Sequence, residues 1–214
     1  DVEGVFTTDP NIVLNAKKID KLAYEEMLEM ASTGAKVLQT RSVELALKNN
    51  LTLQVLSSFA DVEGTYILNE NKLIEKEIVS GVSYSKNESK LTISGILDKP
   101  GISAKIFGLM STNNINVDMI VQNISQDGIS ANMTFTVPTK DLGFAKKILQ
   151  NNRAQINYHN LSADSDIAKI SVIGMGMMSQ TGVAEKMFRT LAEKEVNILA
   201  ISTSEIKISV LIQK

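Results

Sequence analysis

The 214-residue chain contains no cysteine and a single histidine. The absence of cysteine excludes disulfides, thiolate catalysis and cysteine-ligated metal sites. His159 lies in a strand-like stretch with no second histidine near it, so we expect no metal site around it. No apolar run approaches the roughly 20 residues of a membrane span, and no signal-peptide pattern opens the chain. These absences favour a cytoplasmic protein that holds no metal and enters no membrane.

An excess of charge of either sign is also missing, since 22 basic residues face 24 acidic ones. A net charge of −2 gives no electrostatic reason to expect a nucleic acid as partner. The phosphate-binding pattern GxxxxGK[ST] does not occur, and Gly174-Met175-Gly176 lacks the third glycine of a dinucleotide-binding fingerprint. The acidic run at 162–166 lacks the spacing of a calcium loop and indicates a polar linker.

The chain contains an internal repeat. Residues 100–120 (PGISAKIFGLMSTNNINVDMI) align without a gap with residues 181–201 (TGVAEKMFRTLAEKEVNILAI). The aligned identities are Gly101 with Gly182, Lys105 with Lys186, Phe107 with Phe188, Asn116 with Asn197, and Ile120 with Ile201. Two copies of a unit this long predict paired small domains, because a solenoid needs at least about three repeats. The seam between two such copies is a natural ligand site.

Periodicity predicts secondary structure along the whole chain. Before the repeat we expect helices at 19–31 (capped by Asp20) and 42–49 (capped by Ser42), a strand at 51–59, polar boundaries at 69–77 and 83–90, and a strand at 78–83. From residue 91 onward we expect strands at 91–96, 117–124, 131–137 and 155–161, and helices at 100–113 and from Asp141. We also expect a hairpin turn at Gln126-Asp127-Gly128. This is the βαββαβ order of a ferredoxin-like unit.

The second unit starts again and stops after its third strand. Its missing helix leaves a sheet face open, or the strand at 78–83 adds to one of the two sheets. The chain begins in a loop-like segment without a methionine and ends directly after an apolar strand, so we expect both ends to lie inside a longer protein.

The segment DKPGISAK at 98–105 carries the sharpest functional signal. Free backbone N–H groups at the helix start around Gly101, together with the positive end of the helix dipole, suit a carboxylate. Asn116 and Asp118 open the next strand, where an acidic side chain could hold an ammonium group. A free amino acid carries both of these groups, a carboxylate and an ammonium group. The alternative is that Asp98 and Asn116 only cap turns.

Long motifs of the chain resemble those of aspartate kinases. They are DVEGVFTTDP, YEEMLEMASTGAKVL with RSVELA, DKPGISAKIF, NINVDMIVQNIS and ISTSEIKISVLI, in this order over essentially the whole chain. The resemblance implies an α+β protein, with tandem ferredoxin-like ACT domains preceded by a remnant of an α/β amino-acid-kinase domain. The implied domains are a kinase remnant at 1–68, a linker and strand at 69–90, a first ACT domain at 91–162 and a truncated second one at 163–214.

The resemblance also implies the ligands. In that family ATP and Mg²⁺ support transfer of a phosphate to the side chain of L-aspartate. The implied ATP-binding residues are Asp1, Phe6, Thr7, Thr8, Asp9, Pro10 and Lys36. Asn11 stands where the family commonly has arginine, which puts that contact in doubt. The family's KFGGTS-like motif is absent, so we expect no catalytic residue, no bound cofactor and no activity in this stretch alone.

The family's feedback inhibitors, lysine and in many members threonine, bind where ACT units face each other. The implied effector-binding residues are Asp98, Gly101, Ser103, Asn116, Val117, Asp118 and Gln122 in the first copy, and Val183, Ala184, Asn197, Ile198, Leu199 and Glu205 in the second. Since Leu199 replaces Asp118, we expect the first copy to hold the effector's charged groups. The resemblance further implies a homodimer through the ACT domains, or a higher oligomer.

Two alternatives remain at this point. One is an enzyme competent by itself, against which the missing motif argues. The other is a regulatory or interaction subunit without a catalytic role, although such a subunit would begin near the first ACT domain.

Overall fold

The computed structural model describes residues 2–73, 77–125 and 128–214. The chain divides into two compact units. The N-terminal unit contains residues 1–85, 169–197 and 203–210, and the central unit contains residues 86–168, 198–202 and 211–214. Within the described ranges, no helix is long and apolar enough to cross a membrane.

A small sheet with two helices opens the N-terminal unit. Its strands β1 (Lys21–Ala23), β2 (Leu53–Val55) and β3 (Thr65–Leu68) lie in the order β1-β3-β2, with β1 parallel and β2 antiparallel to β3. Helices α1 (Tyr24–Thr33) and α2 (Thr40–Lys48) cover it. The apolar side chains at their interface form the core, among them Leu22, Tyr24, Met27, Met30, Val43 and Ile67.

The predicted starts of both helices were wrong. Helix α1 begins at Tyr24, because Lys21–Ala23 pair with β3 as a strand, and Asp20 therefore lies outside the helix. Helix α2 begins at Thr40 with Gln39 at its N-cap, which places Ser42 inside the first turn. The strand expected at 51–59 ends at Val55, and beyond it the Ser57 hydroxyl accepts a hydrogen bond from the Phe59 N–H (3.1 Å), closing a turn.

The central unit contains a four-stranded antiparallel sheet. Its elements are β5 (Glu88–Leu97), α3 (Ile102–Thr112), β6 (Asp118–Ile124), β7 (Ser130–Pro138), α4 (Leu142–Asn151), α5 (Arg153–Ile156) and β8 (Asn160–Asp164). The strand order is β6-β7-β5-β8. The helices bury their apolar stripes against one face, where Phe107 and Phe135 meet edge to face at 5.4 Å. The predicted ferredoxin-like fold is thereby confirmed.

The closing strand of this unit lies later in the chain than predicted. Residues 153–156 form α5, Asn157 ends it in a left-handed conformation (φ 56), and β8 begins at Asn160. The strand therefore takes up most of the run at 162–166 that we expected to be a linker. The predicted hairpin residues Gln126 and Asp127 lie outside the described residues, and the Gly128 N–H bonds to the Ser125 carbonyl at 3.0 Å.

A second four-stranded sheet contains β4 (Gly81–Ser85), β9 (Ile167–Ile173), β10 (Ile198–Thr203) and β11 (Lys207–Gln213), and α6 (Val183–Glu193) joins β9 to β10. The strand order is β10-β11-β9-β4. Strand β4 pairs antiparallel with β9 and so occupies the place that β8 has in the other sheet. Of the two alternatives left open, the strand near 78–83 thus adds to the second sheet.

The two copies of the repeat end their helices in the same way. Asn114 and Glu195 both take φ 55. After them, the Ile115 N–H bonds to the Met110 carbonyl at 3.0 Å, and the Val196 N–H bonds to Leu191 at 2.9 Å. The sequence repeat is therefore also a repeat of backbone geometry at the helix ends.

Candidate functional sites

The starts of the two repeat helices have nearly identical geometry. Gly101 precedes α3 with φ 91 and ψ −12, and Gly182 precedes α6 with φ 95 and ψ −8. Side chains rarely adopt this left-handed conformation, which explains glycine at both positions. Neither helix start has a side-chain cap, and the space where a Cβ would stand is open for 4 Å at both glycines. Uncapped N–H groups facing open space can bind an anion.

In the first copy, one predicted pair of effector residues comes together. The Ser103 hydroxyl on the first turn of α3 donates to Gln122 Oε1 on β6 at 3.2 Å. The predicted residues Asp98 and Asn116 belong to the same copy of the repeat. The side chains of Asp98, Asn116 and Gln122 are exposed to solvent. The backbone N–H of Asp98 bonds to the Ile129 carbonyl at 2.8 Å, which fixes the turn before the helix.

Asp118 is half-buried, and its carboxylate accepts the N–H of Met119 at 2.8 Å. The pairing of β6 with β7 shifts register between Asp118 and Val121, and Met119 has φ 37. This irregularity turns the Met119 side chain into a buried cluster with Ile167 and Leu211, against which Leu199 and Ala200 pack. A predicted residue of the second copy, Leu199, thus shares a cluster with the neighbour of Asp118.

The other predicted effector residues of the second copy are spread over its surface. Val183, Ala184 and Ile198 are half-buried, while Asn197 and Glu205 are exposed. Glu205 lies in the turn between β10 and β11, which is closed by the Ser204 N–H bonding to the Lys207 carbonyl at 2.8 Å. No acidic side chain stands at the position that corresponds to Asp118.

The predicted ATP segment at 6–10 is held by its backbone. Phe6 bridges to Lys18, the Thr7 N–H bonds to the Lys17 carbonyl at 2.8 Å, and the Lys17 N–H bonds to Thr7 Oγ1 at 3.1 Å. The Asp9 carboxylate accepts both N–H groups of Asn11, at 2.9 and 3.1 Å. Thr8 is half-buried and Pro10 exposed, while Asp1 lies outside the described residues.

Lys36 lies exposed between α1 and α2, two residues after Gly34. Its ammonium group is therefore available to an anionic ligand. Within the described part of the chain, no group of three or more His, Cys, Asp or Glu side chains could hold a metal ion.

Sequence reasoning missed a buried carboxylate, Glu26, which is 3% exposed. It accepts hydrogen bonds from the Ala23 N–H (3.1 Å), the Ser80 hydroxyl (2.5 Å) and the Met175 N–H (2.8 Å). A signal for it was present, because a glutamate at the third helical position often reaches back to the N-cap. The misplaced start of α1 hid that signal.

The chain is similar to known proteins over its full length. The family model for the ACT domain matches residues 91–152 and 170–214, and the model for the amino acid kinase family matches residues 1–57. An aspartate kinase of Pseudomonas fluorescens is 49% identical over 100% of this chain and 52% of its own length. The chain thus spans about half the length of the curated relatives it matches.

Solved structures give the same picture. The regulatory subunit of aspartate kinase from Thermus thermophilus is 36% identical, with a TM-score of 0.60 over 64% of this chain and 89% of its own. E. coli aspartokinase III is 27% identical over 100% of this chain and 47% of its own. Its complex with aspartate and ADP has a TM-score of 0.81, and its complex with lysine and aspartate has one of 0.76.

Proposed function

We propose a function for this chain from the premise that it belongs to the aspartate kinase family and carries that family's regulatory ACT region. The proposed role is feedback control, in which a free amino acid, lysine or threonine, binds at ACT–ACT interfaces of a homodimer. The kinase remnant would occupy residues 1–68 and the linker with its strand 69–90. The ACT domains would occupy 91–162 and 163–214, with β4 completing the second.

The pair of uncapped helix starts at Gly101 and Gly182 is the observation that carries this proposal. Free N–H groups there suit the effector's carboxylate. The Asp118 carboxylate has the charge to hold the effector's ammonium group. The hydrogen bond from Ser103 to Gln122 joins the first turn of α3 to β6 beside it. The E. coli relative crystallised with lysine supports an amino-acid effector.

The whole protein of which this chain is a part is proposed to transfer phosphate from ATP to the side chain of L-aspartate. Thr7, Thr8, Asp9 and Lys36 fit the nucleotide side of that reaction. The segment is fixed by backbone hydrogen bonds, and the exposed Lys36 can neutralise phosphate charge. Mg²⁺ would enter with the nucleotide, since it is usually held by phosphate oxygens and one or two carboxylates.

Calorimetric titration of the folded protein with L-lysine and with L-threonine tests the effector proposal. We expect binding of one or both, weakened about 10-fold or more by Asp118→Asn, because a hydrogen bond to a charged group contributes roughly 1.5–3 kcal/mol. Asp61→Asn, on an exposed loop, is the matched control. Absence of heat with both amino acids in the folded parent would contradict the proposal.

A second titration addresses the helix start itself. Gly101→Ala and Gly108→Ala both add a methyl group into open space of the same copy, but only Gly101 has a left-handed φ. We expect the first substitution to weaken effector binding and the second to leave it unchanged. Equal affinities would show that the helix start does not hold the effector.

A role as a regulatory subunit without catalysis is the second candidate, favoured by the match to 89% of the Thermus regulatory subunit. Formation of ADP from ATP and L-aspartate by the whole protein separates the two candidates.

A further inference from the structure

Strand β4 has a different neighbour at each of its edges. On one side it pairs with β9 over five residues, from Gly81 opposite Ile173 to Ser85 opposite Lys169. On the other side, the Val82 N–H donates to the Thr7 carbonyl at 2.7 Å. One short strand of the second ACT sheet thus touches the backbone of the proposed ATP segment.

Packing at this contact leaves no free volume. A Cβ on Gly81 would lie 2.9 Å from Met30 Cε and 3.1 Å from the Thr7 carbonyl oxygen. Real Cβ atoms essentially never approach another atom to less than 3.0 Å. The backbone of β4 therefore reaches Thr7 only because residue 81 has no side chain.

The other end of β4, at Tyr84, contacts the chain close to Lys36, the other proposed ATP-binding position. A Cβ on Gly34 would overlap the Tyr84 carbonyl oxygen, so these two backbones are in direct contact. Gly34 lies two residues before Lys36. In addition, the hydroxyls of Thr33 and Ser83, both buried, are hydrogen-bonded to each other. The end of α1 and the chain leading to Lys36 are therefore fixed against β4.

We propose that β4 is a positioning strand that couples the second ACT sheet to both proposed nucleotide segments, Thr7 at one end and residues 34–36 at the other. The inference rests on the proposed function, since it assumes ATP at those segments and an effector in the ACT region. Close-packed contacts transmit small displacements, so a shift of β9 and β4 moves both segments. By moving these two segments, the second ACT sheet changes the affinity of the protein for ATP.

Two substitutions in the whole aspartate kinase test this coupling. Val82→Pro removes the N–H that bonds to Thr7 and places a ring carbon against the Thr7 carbonyl, so it breaks this contact on the edge of β4 that faces away from β9. Gly81→Ala inserts a methyl group between β4 and Thr7, and the flexible end of Met30 can yield to it. Gly143→Ala in α4, with nothing within 4 Å of its Cβ, is the matched control.

The readout is the ratio of effector dissociation constants, for L-lysine and for L-threonine, with and without a non-hydrolysable ATP analogue. Coupling between two sites typically changes affinity about 5- to 150-fold and is reciprocal. We expect this ratio to approach one in Val82→Pro and Gly81→Ala while the effector's affinity for the ATP-free protein stays within about twofold. The KM for ATP should rise, and the control should behave as the parent.

Hydrogen exchange provides a measurement that needs no variant. We expect effector binding to change the exchange rates of amides at 80–85, 6–10 and 34–37 together. A parent that binds neither ATP nor an amino acid would overturn the proposed function. A parent that shows coupling, with the same ratio in folded Val82→Pro and Gly81→Ala or with exchange at 80–85 unaffected, would overturn the role of β4 alone.

Discussion

Glu195 adopts a left-handed backbone conformation (φ 55) that is unfavourable for a residue of its size. The equivalent residue at the end of α3, Asn114, has the same φ, but asparagine tolerates it better because its short polar side chain can hydrogen-bond locally. The copies of the repeat therefore use the same helix end with different local strain.

Exchanging these two residues tests that difference. We expect Glu195→Asn to raise the free energy of unfolding by about 0.5–1 kcal/mol, since it relieves part of the cost of a left-handed residue. The reciprocal change, Asn114→Glu, should lower it by a similar amount. Urea denaturation of both variants gives the measurement, and changes of the same sign would refute the explanation.

Tyr24 is buried at the start of α1, and its hydroxyl donates to the Leu51 carbonyl. Burial raises the pKa of Tyr24 above 10.0, and the nearby Glu25 carboxylate raises it further. The unfolded chain loses this proton at lower pH than the folded chain does. The contribution to stability is therefore complete below pH 10 and is lost as the pH rises towards the folded pKa.

A substitution separates this effect from other alkaline changes. Tyr24→Phe should be less stable than the parent at neutral pH by about 1 kcal/mol, the net value of a hydrogen bond. Above pH 10 the difference should shrink, because only the parent has the ionising hydroxyl. Thermal unfolding between pH 8 and 11 measures it, and a gap that widens with pH would reverse the assignment.

At the scale of elements, α1 packs against residues of two sheets. It follows β1 directly, and its buried side chains share a core with Ile173 at the end of β9. Lys207 of β11 forms an ion pair with Glu29 at 2.7 Å, and both side chains are mostly shielded from solvent. Helix α1 therefore covers residues of the second four-stranded sheet.

Glu26 ties these elements together through its three hydrogen bonds. Replacing it with glutamine keeps the shape but puts an NH₂ group where some of the donors point. We expect Glu26→Gln to lower the free energy of unfolding by about 2 kcal/mol, the cost of a buried group left unpaired. Glu44→Gln, on the exposed side of α2, is the control. A change in the free energy of unfolding within about 0.5 kcal/mol of the control, the usual range for surface substitutions, would contradict this role.

The repeat made the central sheet predictable, because hydrophobic alternation and helical stripes recur at one spacing in both copies. Interpretation failed where tertiary contacts decided. Lys21–Ala23 continue a helical pattern yet pair with β3, and residues 155–156, predicted to open the closing strand, instead end α5. The sheet that takes β4 depends on a pairing with β9, from which residues 86–166 separate it in the sequence, and local periodicity does not encode such a pairing. Likewise the turn at Gly101 was readable, whereas the fit of Gly34 to Tyr84 was not.

At the scale of the whole molecule, apolar side chains remain on two edge strands. Ile120 and Ile124 on β6 are 51% and 63% exposed, and Ile201 on β10 is 42% exposed. Unpaired strand edges with apolar residues favour association with another chain. They support the homodimer that we propose for the ACT region.

A charged residue on the edge strand β6 should weaken the proposed dimer. We expect Ile124→Lys to shift the protein towards monomer in sedimentation velocity experiments, because charged edge residues oppose strand pairing. Leu45→Lys changes an equally exposed residue of α2 (63%) and serves as the control. If Ile124→Lys remains as oligomeric as the control, β6 is not the contact.

The place of β4 in the chain has a consequence for the order of folding. Residues 86–166 lie between β4 and its partner β9, so direct pairing in the unfolded chain would close a long loop. In the central sheet, however, Lys90 lies opposite Asp164, which holds the entry and exit of that long segment side by side. Once the central sheet has formed, β4 and β9 emerge as neighbours and the entropic barrier to their pairing is small. We therefore expect the second four-stranded sheet, which contacts the proposed ATP segment, to assemble after the central sheet.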